Sequence, residues 1–263
     1  MRLHDHRPES RNLRLPLTLL LLSLLASNVV AAPLEVGRFS AGDLTGWHDK
    51  PFKGKTVYGL VKDDGRTVLK AHSVKAASGL LKEVKVEAKK YPWLRWSWKV
   101  EHALKKEDVT KKSGNDFAAR VYVVFPRAFF WRMRAIDYVW AGKMPQGSSA
   151  PSPYTGNAVI IAVESGNDKA GQWVSEERNV YEDYKRVFGE EPPPIGAIAV
   201  MSDTDDTRDE VTAWYGDITL DTSAKEKKEP TPPPTPAPAP AGKTEPGPEP
   251  HRPAPSAESP VKK

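Results

Sequence analysis

The chain contains no cysteine. Disulfide staples, thiolate nucleophiles and cysteine-ligated metals are therefore excluded, and so is a lipid anchor carried on a cysteine at the start of a mature chain. Histidine offers little more: there are six in 263 residues, and His48, His72 and His102 follow no metal-ligand spacing. No Gly-x-Ser-x-Gly motif and no glycine-rich phosphate loop occurs. Helical hydrophobic periodicity is nearly missing from residue 34 to residue 221. The one long apolar run, "LPLTLLLLSLLA", lies close to the start and is too short for a permanent membrane helix.

Charge of one sign is also scarce in the body of the chain. The formal charge of +5 would ordinarily invite a nucleic acid or an anionic membrane as partner. It resides at the two ends. Residues 1–31 set Arg2, Arg7, Arg11 and Arg14 against Asp5 and Glu9, and residues 224–263 set seven Lys and Arg against five Glu, so each end carries +2 and the middle about +1. No nucleic-acid partner is expected.

The first 31 residues have the layout of a secretory leader: a basic stretch, the apolar run and the small residues "NVVAA". Cleavage after Ala31 fits the small-residue rule, with Val29 and Ala31 at the recognition positions. A periplasmic or secreted protein is expected, with no transmembrane segment in the mature chain. Residues 224–263, from "AKEKKEPTPPPTPAPAPAG" onward, hold about half of the 25 prolines and almost no large apolar side chain. Such a segment buries too little surface to offset its ordering entropy, and is expected as a disordered, proline-rich tail, either a spacer or an inert solvated end. The reading is thus a leader (1–31), a folded domain (32–223) and a tail (224–263).

The body reads as strands. "TVYGLV", "TVLKAHS", "GLLKEVKVEA", "WLRWSWKV", "FAARVYVVF", "AVIIAVES", "WVSEERNV", "IGAIAVMS" and "VTAWYGDITL" are short runs rich in β-branched and aromatic residues, parted by turn residues. They predict a mostly β fold, an antiparallel β-sandwich of jelly-roll type. One helix interrupts it: "NVYEDYKRVFGEEPPP" lines up Val180, Tyr184, Val187 and Phe188, with Asn179 and Glu182 as a capping box and Gly189 before prolines as the stop.

Alternation assigns faces. In "DFAARVYVVF", Phe117, Ala119, Val121, Val123 and Phe125 form the apolar side, leaving Asp116, Arg120 and Tyr122 on the other. In "WLRWSWKV", Leu94, Trp96, Trp98 and Val100 face inward and Arg95 outward. If these strands are neighbours, Arg95, Arg120 and Tyr122 line an exposed groove. The long segment "PRAFFWRMRAIDYVWAGKMPQGSSAPSPYTG" reads as an irregular insertion, a cover over the sandwich edge or an adhesive rim.

Taken together and in order, "PFKGKTVYGLV", "KAASGLLKEV", "LRWSWKV", "GNDFAARVYVVFP", "WVSEERNVYEDYKRVFGEEPP", "IAVMSDTDDT" and "AWYGDI" resemble the DUF3047 family of bacterial exported proteins, a domain of unknown function, over nearly all of residues 34–221. "RFSAGDLTGW" and "YGDITL" also resemble the first and last strands of jelly-roll carbohydrate-binding modules, a likeness which implies that the two chain ends meet in neighbouring strands. Where the DUF3047 pattern has Asn in the acidic loop, this chain has Asp206.

The acidic loop, "MSDTDDTRDE", joins runs expected to be sequential antiparallel strands. Asp203, Asp205 and Asp206, with Asp217 from the final strand, are candidate oxygen ligands for a structural calcium; no cofactor is otherwise required. The same aspartates also serve a turn by hydrogen-bonding their own backbone. Glu164, Glu176, Glu177, Asp116 and Asp203 are the carboxylates available to a glycan hydrolase or lyase, and Arg178 is the expected charge partner of Glu176. Among aromatics, Trp96, Trp98 and Trp214 are expected in the core, whereas Trp140, Tyr154 and Trp173, near turns, are the expected ligand platforms. The sequence therefore supports a non-catalytic binding module for an envelope or matrix polysaccharide or another cell-envelope component, through Arg95, Asp116, Arg120, Tyr122, Trp140, Tyr154, Trp173 and Glu177. A carboxylate-dependent glycan enzyme and a structural envelope protein with a proline-rich spacer are the alternatives.

Overall fold

Short β-branched and aromatic runs separated by turn residues become strands in the computed structural model, which describes residues 31–129 and 132–225. In chain order these are β1 (Leu34–Gly37), β2 (Trp47–Lys53), β3 (Val57–Asp63), β4 (Arg66–Val74), β5 (Ala77–Val86), β6 (Trp93–Val100), β7 (Ala119–Phe125), β8 (Arg134–Ala141), β9 (Ser149–Ser152), β10 (Thr155–Ser165), β11 (Val174–Asn179), β12 (Ile195–Asp203), β13 (Glu210–Tyr215) and β14 (Ile218–Asp221), with one helix, α1 (Val180–Phe188). The fold is mostly β, two largely antiparallel sheets stacked as a sandwich with one short helix, as expected. The expected leader and nearly all of the expected tail lie outside the described residues. No helix among the described residues is long and apolar enough to cross a membrane.

The first sheet is centred on β6. β11 pairs along its length from Trp93 to Trp98, while β14 takes its N-terminal half and β13 its C-terminal half. β4 and β3 continue outward from β13, and β1 from β14. The two ends of the domain thus meet in the antiparallel pair β1–β14, with Leu34 opposite Leu220. The second sheet runs β2-β5-β12-β7-β8-β10-β9. All its pairs are antiparallel except β8–β10, which is parallel because the chain returns through β9 before pairing.

The inner faces interlock through aromatic rings. Trp96 and Trp98 of β6 meet Tyr138 and Trp140 of β8 across the sandwich, at centroid separations of 5.5 Å and 5.9 Å. Each of these rings is nearly fully buried, and burying one of this size contributes roughly 2–3 kcal/mol. Helix α1 closes one end of the core. Asn179 Oδ1 accepts the Glu182 amide at 3.0 Å, Val180 and Tyr184 are buried, and Gly189 stops the helix in the left-handed region at φ 70°.

Three expectations about the strands are corrected. The presumed insertion after Pro126 contains β8 and β9, and Ile136, Tyr138 and Trp140 point into the core. Trp140 is therefore a core ring, 1% exposed, not a loop platform. Trp214 goes the opposite way: Val211, Ala213 and Tyr215 take the inward phase of β13, which leaves Trp214 partly exposed outside with the Lys99 ammonium 4.7 Å from its ring. The acidic loop is not a hairpin either. β12 belongs to the second sheet and β13 to the first, so the loop crosses between layers.

A second, smaller apolar cluster sits on the far side of the second sheet: Phe117, Val139, Ala141, Met144, Ile160 and Ala162. The segment before β7 lies over this face. Glu107, 1% exposed, accepts the amides of Gly142 and Met144 and so ties the segment to the loop after β8. Phe117 belongs to this cluster rather than to the main core, a correction to the face expected from alternation, because β7 begins only at Ala119.

Candidate functional site

The outward phase of β7 and β8 places Arg120, Tyr122 and Asp137 on the covered face of the second sheet. Arg120 is 2% exposed. Its Nε–H donates to Asp203 Oδ1 at 2.8 Å and Nη2 to Asp203 Oδ2 at 2.6 Å, a bidentate pair. Nη1 donates to Asp137 Oδ2 at 2.6 Å and to the Tyr122 hydroxyl at 3.1 Å, and Nη2 also donates to the Asn115 carbonyl. All five guanidinium protons are spoken for. Burial works against the charge, yet Asp203, Tyr122 and Asp137 hold the Arg120 pKa well above its ordinary value.

The expected open groove is thus corrected on two counts. Arg120 lies on the face that alternation assigned to it, but the segment before β7 and the acidic loop enclose it, while Tyr122 on the same face stays partly exposed. Arg95 belongs to β6 in the other sheet, so the two arginines share no surface. Arg95 itself pairs with Glu177 at 2.6 Å and with Asp221 on the outer face of the first sheet.

The acidic loop divides into a buried and an open half. Asp203, Thr204 and Thr207 are buried, while Asp205, Asp206 and Asp209 are partly exposed and Arg208 is exposed, in the left-handed region at φ 54°. Asp116, 0% exposed, accepts both the Thr207 amide (2.6 Å) and the Thr207 hydroxyl (2.8 Å) on Oδ2 and pins the loop. Its Oδ1 is buried with no hydrogen-bond partner among the described residues. Burial, then the charges of Asp203 and Asp205, push the Asp116 pKa up to about 6, against the hydrogen bonds from Thr207. Carboxylate oxygens of Asp116, Asp203 and Asp205 lie within 4.8 Å of one another. Of the four ligands expected from sequence, Asp203 and Asp205 are brought together, whereas Asp217 accepts from the amide and hydroxyl of Ser40, and Asp206 accepts the Tyr154 hydroxyl. Asp116 was legible only as a candidate carboxylate for catalysis or ligand contact; its share in this cluster depends on a loop 87 residues later in the chain.

The remaining expected residues scatter. Tyr154, in the turn between β9 and β10, is 52% exposed, and Lys112 lies 5.3 Å from its ring. Trp173 is partly buried: Arg66 covers one ring face at 3.9 Å and Asp63 accepts its indole N–H at 2.7 Å. Glu176 accepts the Trp98 indole N–H at 3.1 Å, and burial followed by the Glu164 charge raises its pKa to about 7. Arg178 is not its partner. It forks onto Asp183 of helix α1 at 2.9 Å and 2.6 Å, because Glu176 points into the core while Arg178 reaches the first helical turn. A separate surface cleft of about 580 Å³ is lined by Arg127, Phe129, Arg132, Glu190 and prolines 126, 192 and 193. Phe130 and Trp131, expected at an adhesive rim, lie outside the described residues.

Some solved structures are distantly similar to the chain. The family 11 carbohydrate-binding module of the cellulosomal cellulase Lic26A-Cel5E of Clostridium thermocellum is 11% identical, with a TM-score of 0.42 over 73% of this chain and 95% of that one. The family 30 module of the cellulosomal cellulase Cel9D-Cel44B of the same organism is 10% identical, at 0.38 over 74% and 95%. Endoglucanase cel12A from Rhodothermus marinus is 12% identical, at 0.36 over 72% and 100%. No curated protein matches the chain. Residues 45–219 match the model described as "Protein of unknown function (DUF3047)", two thirds of the whole chain, and the chain belongs to the DUF3047 family.

Proposed function

We propose that this is a non-catalytic binding domain of the cell envelope, periplasmic or secreted, that takes a hydroxyl-rich polymer of the polysaccharide class at the open half of the acidic loop. The observation that carries this reading is Tyr154. It is the exposed member of the three expected aromatic platforms, and its hydroxyl is oriented by Asp206, with Asp205 near by and the Lys112 ammonium 5.3 Å from its ring. A flat aromatic face flanked by carboxylates and an ammonium matches the chemistry of a sugar, whose C–H face stacks and whose hydroxyls donate and accept. Binding is favoured over hydrolysis because the carboxyl with a near-neutral pKa on the first sheet, Glu176, is engaged by a core tryptophan rather than turned to a cleft.

Affinity electrophoresis through gels cast with envelope or matrix polysaccharides is the test. The full chain should be retarded, and Tyr154→Ala should abolish the retardation while melting as the parent does. Retardation that survives Tyr154→Ala overturns the site. Export is checked by the mass of the protein recovered outside the cytoplasm, expected to begin at Ala32.

A further inference from the structure

The buried half of the acidic loop holds more negative charge than its side chains neutralise. Asp116, Asp137 and Asp203 are all at least 96% buried, and Arg120 is the buried cation among them. Asp205, its side chain 11% exposed, adds a fourth carboxylate. Two lysines reach only the margin: Lys53, 64% exposed, stands 3.3 Å from Asp205, and Lys106 donates to the Thr207 carbonyl. A buried carboxylate without a counter-charge is costly and normally finds a proton, a cation or a metal.

A second observation is independent of this charge count. Asp116 Oδ1 is wholly buried without a hydrogen-bond partner among the described residues, and so is Asp137 Oδ1 on the other side of Arg120. In a cluster where Arg120, Thr207 and the Phe117 amide satisfy other oxygens, these acceptors are left over. Native interiors rarely leave such atoms unfilled.

We propose that Asp116, Asp203 and Asp205 bind a calcium ion that locks the crossing between β12 and β13 onto the segment before β7. The donor set is all oxygen and lacks imidazole or thiolate, which selects a hard divalent cation over zinc or copper. Calcium accepts irregular oxygen shells completed by carbonyls and water, whereas magnesium demands a near-ideal octahedron. Asp203 keeps its pair with Arg120 and offers the ion Oδ2, which accepts only Arg120 Nη2 among the described residues and so has a second lone pair, whereas Oδ1 already accepts both Arg120 Nε and the Phe117 amide. The site rests on geometry and charge, and stands whether or not Tyr154 binds a glycan.

The full chain, stripped with a chelator and dialysed, is titrated with calcium chloride alone by calorimetry, and its melting is followed with and without calcium. Binding with one ion per chain is expected, along with a rise in melting midpoint of roughly 5 °C near saturation. Asp205→Asn, at the margin and paired with exposed Lys53, should fold but lose the heat and most of the rise. Asp209→Asn, whose Oδ1 accepts the next amide, should keep both. No heat and an unchanged midpoint in roughly 10 mM calcium overturn the site. An Asp205→Asn response equal to the parent's overturns it too, as does a response to magnesium as large as that to calcium. Polysaccharide retardation measured with chelator present reports on Tyr154 separately.

Discussion

The outer faces of the two sheets start from the same pattern and end in different environments. On the first sheet, Arg95 and Lys99 alternate with Trp96, Trp98 and Val100 of the core, and their charges meet Glu177, Asp221 and Asp63 in pairs that water still reaches. On the second sheet, Arg120 alternates just as regularly with Val121 and Ala119, yet a further layer covers it. An alternating run therefore says which residues share a face. Whether that face meets water depends on chain that arrives from elsewhere.

The comparison breaks most sharply at the arginines themselves. Arg120→Ala leaves Asp203 and Asp137 buried without their cation and is expected to cost about 3–5 kcal/mol in urea unfolding, enough to threaten folding. Arg120→Lys should recover only part of this, since one ammonium cannot reproduce the fork onto Asp203.

The next effect is set by pH. The Glu176 pKa is raised to about 7 in the fold, from an ordinary value near 4.5, chiefly by burial and then by Glu164, against the Trp98 indole, Lys169 and Arg178. The native state therefore holds a proton that the unfolded chain has released, so this stability is complete below about pH 4.5 and is lost as pH rises through 7. Glu176→Gln can still accept from Trp98. It should match the parent at pH 4 and exceed it at pH 8 by on the order of 1 kcal/mol, read from urea unfolding at both values.

The smallest change is expected on the open face. Arg95→Ala breaks two pairs whose side chains are 12–27% exposed, together with a hydrogen bond to the Ser223 carbonyl, and should cost about 1 kcal/mol, less at high salt. Equal losses for Arg95→Ala and Arg120→Ala would abolish the distinction between the faces.

Much of the fold was legible because local chemistry wrote it. The nine expected runs correspond to β3 to β7 and β10 to β13, with β14 split from the last run at Gly216–Asp217. The capping residues of α1 sit where their hydrogen bonds are. β8 was missed because Arg134 and Asp137 interrupt "RAIDYVWA", and a buried Asp137 makes sense only once Arg120 is its neighbour across β7–β8. The carboxylate cluster was half legible: Asp203 and Asp205 are close in sequence, but nothing local ties them to Asp116. Trp140 and Trp214 exchanged places for the same reason, since the aromatic character of a run does not say which layer it faces.

By itself, the sequence determined β3 to β7, β10 to β14 and the one helix, the inward and outward phase of most of these strands, membership in the DUF3047 family and the absence of any thiol chemistry. These follow from side-chain shape and spacing within a few residues. Only the tertiary structure decided that Arg120 is enclosed, that the acidic loop crosses between layers, and that Asp116 joins Asp203 and Asp205. Those outcomes depend on segments far apart in the chain, brought together by burial of the second apolar cluster, and no local pattern encodes that encounter.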